Sequence, residues 1–317
     1  MKERAGHYDG ELVSIYLGGG TPSLWEPVCI SEAIEQIEKQ FHGRAKEITI
    51  EANPIDCTLA NLASWRSRIN RISIGVQSTL PSELVVLGRD HRFGDGRTAV
   101  QEALRRGFTV SADFILGTPT GEVAQIPDVF DDVDHLSVYE LTIEERTAFG
   151  QRVRDGRLVP RSEDELTELY TATHEALIAK GFEHYEISSY AKPGKRAVHN
   201  SLYWTGAPYL GLGVGAASLA INPDGSGERR TNPRKVADYF AGAPPEVTSI
   251  SPAEMAADRA WLGMRTKDGV AEADLPPPVT TWMVTEGLAE RRGGRICPTL
   301  RGFLMADRIA ARIVQAM

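Results

Sequence analysis

Cysteine is scarce in this chain. Three thiols, Cys29, Cys57 and Cys297, are spread over 317 residues. An odd, widely spaced set excludes a disulfide framework, and no two lie close enough to make a local metal or cluster motif. They read as reduced thiols. An excess of basic charge is also missing: 35 Lys and Arg stand against 43 Asp and Glu, a formal net charge of −8. This argues against a nucleic-acid partner and gives no sign of attachment to a membrane surface. No apolar run approaches the roughly 20 residues needed to span a bilayer. The N-terminal MKERAGHYDGE has no apolar stretch of the kind a secretion signal needs, so the cytoplasm is the expected compartment. What remains is ordinary for a globular protein, 42% hydrophobic and 25% charged, long enough for one large and one small domain or for two domains.

Residues 12–25, LVSIYLGGGTPSLW, organise the chain. Leu12 to Leu17 read as a buried strand that stops at Gly18-Gly19-Gly20-Thr21-Pro22. Three glycines allow positive φ and close approach to a ligand, and their N–H groups can line a concave site for a carboxylate, amine or phosphate. The same glycines would also serve a tight strand-to-helix turn.

Strand and helix patterns then alternate to about residue 190. Strands are expected at 46–51, 71–75, 109–116, 135–141 and 184–189. Helical stretches are expected near 58–67, 81–88, 94–107 and 162–180, the last capped by Ser162 with Glu165 and ended by Gly181. Such alternation implies a parallel sheet with crossover helices, whose function sits at the C-terminal strand ends. Polar or glycine-rich residues gather at five such ends: Gly18–Thr21; Glu51, Asn53 and Pro54; Gln77 and Ser78; Gly117–Pro119, with Asp113 within the strand before them; Tyr139 and Glu140. Strand ends meet polar loops in any such fold, but five in succession favour a site.

After residue 190 the texture changes. Residues 191–243 read as a Gly/Pro-rich connecting region, with 223–233 an exposed loop and Pro244-Pro245 a linker. From 244 to 317 the pattern is helical around a small wing at 287–297, with Thr299 capping a final amphipathic helix. This is a winged-helix-like module without the basic face of a DNA reader.

The ordered motifs YLGGGTPSL, EITIEANP, RISIGVQS with LGRDH, DFILGTP, HLSVYELTIE, HYEISSYAKPG, HNSLYW and LGMRTKDGV, closing on ICPTLRGFLMADRIA, resemble one family. It is the radical S-adenosylmethionine (SAM) proteins of the oxygen-independent coproporphyrinogen III oxidase type, on their heme-chaperone branch. The resemblance runs from about residue 12 to 314. It implies an α/β fold, a partial (β/α)6 barrel over residues 1–190 followed by a small C-terminal domain. It implies that Gly18, Gly19, Gly20 and Thr21 hold the amino group of SAM with Glu51 beside them. Gln77 and Arg89 would contact its carboxylate and ribose, and Asp113 its ribose hydroxyls. An Arg takes a carboxylate bidentately, and an acidic residue suits a ribose diol. His199-Asn200 with Tyr203-Trp204 matches the family's HNxxYW signature. Read from the residues alone, His199 is either a heme-facing imidazole or a structural His bonded to a loop carbonyl.

The family's [4Fe–4S] cluster is held by three cysteines in a CxxxCxxC run upstream of GGGTP. This chain has no cysteine before Gly18, so the cluster ligands, the first barrel strand and its helix are expected to be missing, through a truncated start or, as the alternative, in a cluster-free relative that keeps the fold and only binds ligand. The implied function is a heme chaperone that holds heme and passes it to an apoprotein. The alternatives are radical SAM oxidation of coproporphyrinogen III, which needs the cluster, and a barrel enzyme using Glu51 or Asp113 as acid or base.

Overall fold

A computed structural model describes residue 8 and residues 10–119 and 130–317. Most of the charged N-terminal stretch therefore lies outside the described residues. The chain divides into two compact units.

The first unit spans residues 13–36 and 45–197 and is built on a seven-stranded sheet ordered β1-β2-β3-β4-β5-β7-β6. Its strands are β1 Ser14–Leu17, β2 Glu47–Ala52, β3 Arg71–Gln77, β4 Thr109–Leu116, β5 His135–Glu140, β6 Glu183–Glu186 and β7 Ser189–Ala191. The first five are parallel. The expected last strand at 184–189 is instead an antiparallel pair, β6 with β7, and β7 also runs antiparallel to β5. The chain turns at Ile187-Ser188, so the run that reads as one strand crosses a corner.

The crossovers carry helices α1 Pro27–Gln40, α2 Leu59–Trp65, α3 Pro81–Val86, α4 Phe93–Arg105, α5 Ala148–Arg154 and α6 Glu163–Ala179. Sequence reading missed α1 and α5. The start of α6 is as expected: Ser162 Oγ accepts from the Glu165 N–H at 3.3 Å, and Glu165 accepts in return from the Ser162 N–H at 2.7 Å. Gly181, at φ +80°, follows its last turn.

The strands have two unlike faces. Ile48, Ile50, Ile72, Ile74, Val76, Val110, Ala112, Phe114, Leu136 and Val138 are all buried, and they alternate with the polar positions. Burying each such side chain stabilises the fold by about 1.5–3 kcal/mol. The other face carries cross-strand rows set by the register. Tyr16, Thr49, Arg71 and Thr109 form one row. Glu51, Ser73, Ser111 and His135 form the next, and Gly75, Asp113 and Ser137 the third.

The second unit joins residues 10–12 and 37–44 to residues 198–317. It opens with α7 Val198–Trp204 and a three-stranded antiparallel sheet of β8 Ala217–Ile221, β9 Gly227–Thr231 and β10 Glu246–Ile250. The expected loop at 223–233 therefore contains a strand. Only its tip turns, where Asp224 accepts from the Ser226 N–H at 2.9 Å. After α8 Val236–Phe240 and β10 come α9 Pro252–Gly263, β11 Val270–Ala271, α10 Pro277–Thr285, β12 Ala289–Arg292 and β13 Arg295–Pro298. These frame the expected wing, which turns at Gly293-Gly294. Thr299 caps not the final helix but the short α11 Leu300–Leu304, its Oγ1 accepting from the Gly302 N–H at 3.1 Å. The chain breaks at Met305 before α12 Ala306–Ala316. Met264, Val270, Met283, Ile296, Ile309 and Ile313 meet in one core.

Candidate functional site

Parallel strands that share a direction bring their C-terminal ends to one edge. Here that edge gathers Gly18–Thr21 after β1, Glu51 on β2, Gln77 at the end of β3 and Asp113 on β4.

The glycine loop is held by Glu51. Its carboxylate accepts from the Gly19 N–H at 3.0 Å and from the Tyr16 hydroxyl at 2.7 Å. Burial, then the like charge of Glu51, pushes the Tyr16 phenol far above its ordinary range, so it stays a neutral donor. Gly18 has no room for a side chain: a Cβ there would lie 2.4 Å from the Tyr16 ring and 2.9 Å from Glu51 Oε1. Gly19 and Gly20 adopt φ of +82° and +70° and face open space. Thr21 precedes a single 3-10 turn, Pro22–Leu24, without capping it through its side chain.

Gln77 is a non-glycine residue at φ +69°, at an irregularity between Gly75 and Gln77 in the β3–β4 register. Its amide folds over Gly75, where a Cβ would approach Gln77 Nε2 to 2.5 Å. A left-handed conformation of this kind costs about 1–3 kcal/mol and persists only where the surroundings over-determine it. They do so here. The buried His91 Nε2 donates to Val76 O at 3.0 Å, on one side of Gln77. On the other, Ser78 Oγ donates to the buried Glu83 carboxylate and accepts from the Leu80 N–H at 3.0 Å. Arg89 follows Gly88 at the exposed end of α3, its backbone N–H on Leu84 O at 2.9 Å. Its guanidinium makes no ion pair among the described residues.

Asp113 sits among hydroxyls. Ser73 Oγ donates to Oδ2 at 2.6 Å and Ser111 Oγ to Oδ1 at 2.9 Å. Burial raises its pKa to about 6, against the lowering effect of Ser73, Ser137 and Ser111, with the Glu51 charge adding to the rise. Tyr139, 45% exposed, stands at the end of the next strand, its phenol pushed up chiefly by burial. Acceptors at Glu51 and Asp113, an amide at Gln77 and a glycine loop make a set of polar groups that fits an adenosyl amino acid: an ammonium, a carboxylate and a vicinal diol.

The three cysteines are differently placed. Cys29 is exposed on α1. Cys57 is buried with its thiol 3.6 Å from Asn53 O, and burial raises it to about 12. Cys297 lies in β13 of the other unit. Among the described residues, no group of Cys, His, Asp and Glu is placed to hold a metal ion.

His199 belongs to the second unit. α7 sets His199 and Tyr203 four residues apart on one helical face, rings edge-on at 5.1 Å, and Tyr203 meets Tyr209 edge-on at 4.8 Å. Tyr203 is 38% exposed. Trp204 points elsewhere, beneath the Arg265 guanidinium at 5.6 Å.

Ser73, Ser111, Ser137, His135 and Glu83 were not singled out from the sequence. The alternation of EITIEA, RISIGVQ, TVSADFIL and HLSVYE placed polar residues on one face of every strand, and that signal would have found all but Glu83.

Among the described residues, no helix is long and apolar enough to cross a membrane. Residues 1–133 match the Radical SAM superfamily. The chain is 31% identical over 321 residues to the heme chaperone HemW of Mycobacterium tuberculosis, covering 95% of this chain and 80% of that one. It is 32% identical over 292 residues to the mouse mitochondrial radical S-adenosyl methionine domain-containing protein 1, covering 86% of this chain but only 66% of that protein. Among solved structures it is similar to the Escherichia coli coproporphyrinogen III oxidase HemN, with a TM-score of 0.75 at 19% identity over 98% of this chain and 79% of that one. That likeness shows the fold, the partial barrel of the radical SAM proteins. The chain belongs to the radical SAM superfamily, in the family of the heme chaperone HemW.

Proposed function

We propose that this protein is a heme chaperone that binds heme and delivers it to an acceptor apoprotein in the cytoplasm. The observation that carries the reading is α7: His199 and Tyr203 share one face, while Trp204 is packed under Arg265. An imidazole supplies an axial nitrogen for heme iron, and half-exposed aromatic rings suit a planar apolar ligand. The likeness to heme chaperones over most of the chain supports it. Fold alone does not choose chemistry, so the structural likeness to an oxidase at 19% identity does not favour the oxidase.

In the same reading the strand-tip site takes SAM. Gly18, Gly19, Gly20 and Thr21 with Glu51 receive its ammonium, Gln77 and Arg89 its carboxylate and ribose, and Asp113 its ribose diol. SAM held here would be bound and oriented by these residues; its reductive cleavage would need a cluster that the cysteines of this chain are not placed to hold. The region from residue 244 to the C-terminus then serves as the family's C-terminal domain.

Titrating heme into the wild type and into His199→Ala tests the assignment. The wild type should give a saturable Soret shift, and His199→Ala a displaced or weakened one. An unchanged Soret band in His199→Ala removes His199 as the ligand.

A further inference from the structure

We propose that His135 is a positioning residue for Asp113, acting through Ser111 at the end of a one-way chain of hydrogen bonds that begins at the backbone of Ala197. The proposal rests on the reading of Asp113 as the acceptor for a ribose diol.

The direction of every link follows from counting protons. Ala197 N–H donates to Tyr185 Oη at 3.3 Å. Tyr185 Oη lies 2.8 Å from His135 Nε2, and His135 Nδ1 lies 2.8 Å from Ser111 Oγ. Ser111 Oγ lies 2.9 Å from Asp113 Oδ1. A carboxylate only accepts, so Ser111 gives its single proton to Asp113. Ser111 must then accept from His135, which fixes the imidazole as the Nδ1–H tautomer and leaves Nε2 a bare acceptor. Tyr185 donates to Nε2, and its oxygen accepts from Ala197 N–H. Reversing the chain would take the Ser111 proton away from Asp113.

Burial makes these links matter. His135 and Tyr185 are each 1% exposed and Ser111 is 2% exposed. A hydrogen-bonded chain at low local dielectric strengthens its members, and an orphaned member is costly. With a lone pair tied down by His135, Ser111 cannot rotate away from Asp113. Ser73 holds the other carboxylate oxygen at 2.6 Å. Ser137 bonds the same carboxylate, which is thereby fixed in plane for a diol hydroxyl to approach.

The charged and titratable groups around the chain come from each neighbouring strand. Glu51 from β2, Tyr16 from β1 and Tyr139 from β5 face Asp113. Arg71 from β3 faces His135, and burial followed by that charge holds the imidazole well below its ordinary pKa. Arg196 lies over the Tyr185 ring at 5.4 Å, and Glu186 adjoins it. His135 is thus kept neutral, as the chain requires.

The test compares the wild type, His135→Asn and His135→Phe. Asn places an amide N–H where Nδ1–H lies and keeps the donor to Ser111; Phe keeps volume and removes it. Long-range 15N–1H correlation should show His135 as a neutral Nδ1–H tautomer from pH 7 down to 5. A 13C titration should show the Asp113 midpoint raised by about one unit in His135→Phe and little moved in His135→Asn. S-adenosylhomocysteine, as the probe ligand, should bind about tenfold more weakly to His135→Phe at neutral pH, with His135→Asn within threefold of the wild type. An Nε2–H tautomer, or an Asp113 midpoint indifferent to both variants, overturns the proposal whatever the probe does. A shifted midpoint with no binding of the probe to the wild type upholds the positioning chain and overturns the cofactor reading instead.

Discussion

Replacing Glu51 with Gln should release the glycine loop without disturbing the sheet. In the native chain one carboxylate serves two donors, Tyr16 OH at 2.7 Å and Gly19 N–H at 3.0 Å. Gln has one acceptor oxygen, so it can serve only one of them, and its NH2 must face the other. If the Tyr16 bond survives as a neutral one, the loss there is about 0.5–1 kcal/mol. The Gly19 bond is lost outright, about 1 kcal/mol for a donor that water can reach. Glu51→Gln should therefore destabilise the first unit by about 2 kcal/mol, or roughly 4–8 °C in Tm for a unit of this size. Tyr16→Phe should be non-additive with it, because both changes break the same bond. Urea unfolding gives the stabilities, and hydrogen exchange of the Gly19 amide gives the local effect, which should rise at least tenfold. Stability within 0.5 kcal/mol of wild type, with Gly19 exchange unchanged, would refute Glu51 as the clasp of the loop.

Other perturbations follow from the same geometry. His184, stacked on Tyr190 at 4.2 Å, is lowered to about 4 by burial. Unfolded, it takes a proton below about 6.5, so the unfolded chain binds more protons between those values and stability falls on acidification, by about 3 kcal/mol. Asp113, raised to about 6, acts with the opposite sign, so Asp113→Asn should steepen the acid loss between pH 6.5 and 4 and His184→Gln should flatten it; calorimetry across that range checks both. A Cβ at Gly269, at φ +59°, would lie 1.9 Å from Ile296 O. Gly269→Ala should cost about 3 kcal/mol or more, seen as early unfolding of the second unit by near-ultraviolet circular dichroism.

Much of the first unit was legible because its strands obey a two-residue alternation that local sequence displays. Ile72, Ile74 and Val76 alternate with Ser73, Gly75 and Gln77, and β4 and the α6 capping box fall where the pattern puts them. The β6–β7 corner was not legible, because Glu183–Ala191 carries no glycine or proline at its turn and its partner strand lies more than fifty residues away. β9 was hidden by its charges: Arg229 bonds to Asp258 and Arg230 pairs with Glu228, so GERRT reads as loop while pairing on both sides as strand. In the candidate site, Gly18–Gly20 and Glu51 stand out in the sequence at strand ends, and Asp113 stands out as an acid within a strand. Ser73, Ser111 and His135 are visible as polar positions of the two-residue alternation, but that they meet around Asp113 comes from cross-strand register, which is a non-local property.

The central claim is that the chain holds heme and hands it on. The most direct measurement loads the chain with heme, removes the excess, mixes it with a heme-free acceptor hemoprotein and follows the Soret band in time. A saturable heme complex should form and transfer at a rate rising with acceptor concentration, with His199→Ala impaired in loading. A chain that takes up no heme, or that keeps it at every acceptor concentration, would contradict it.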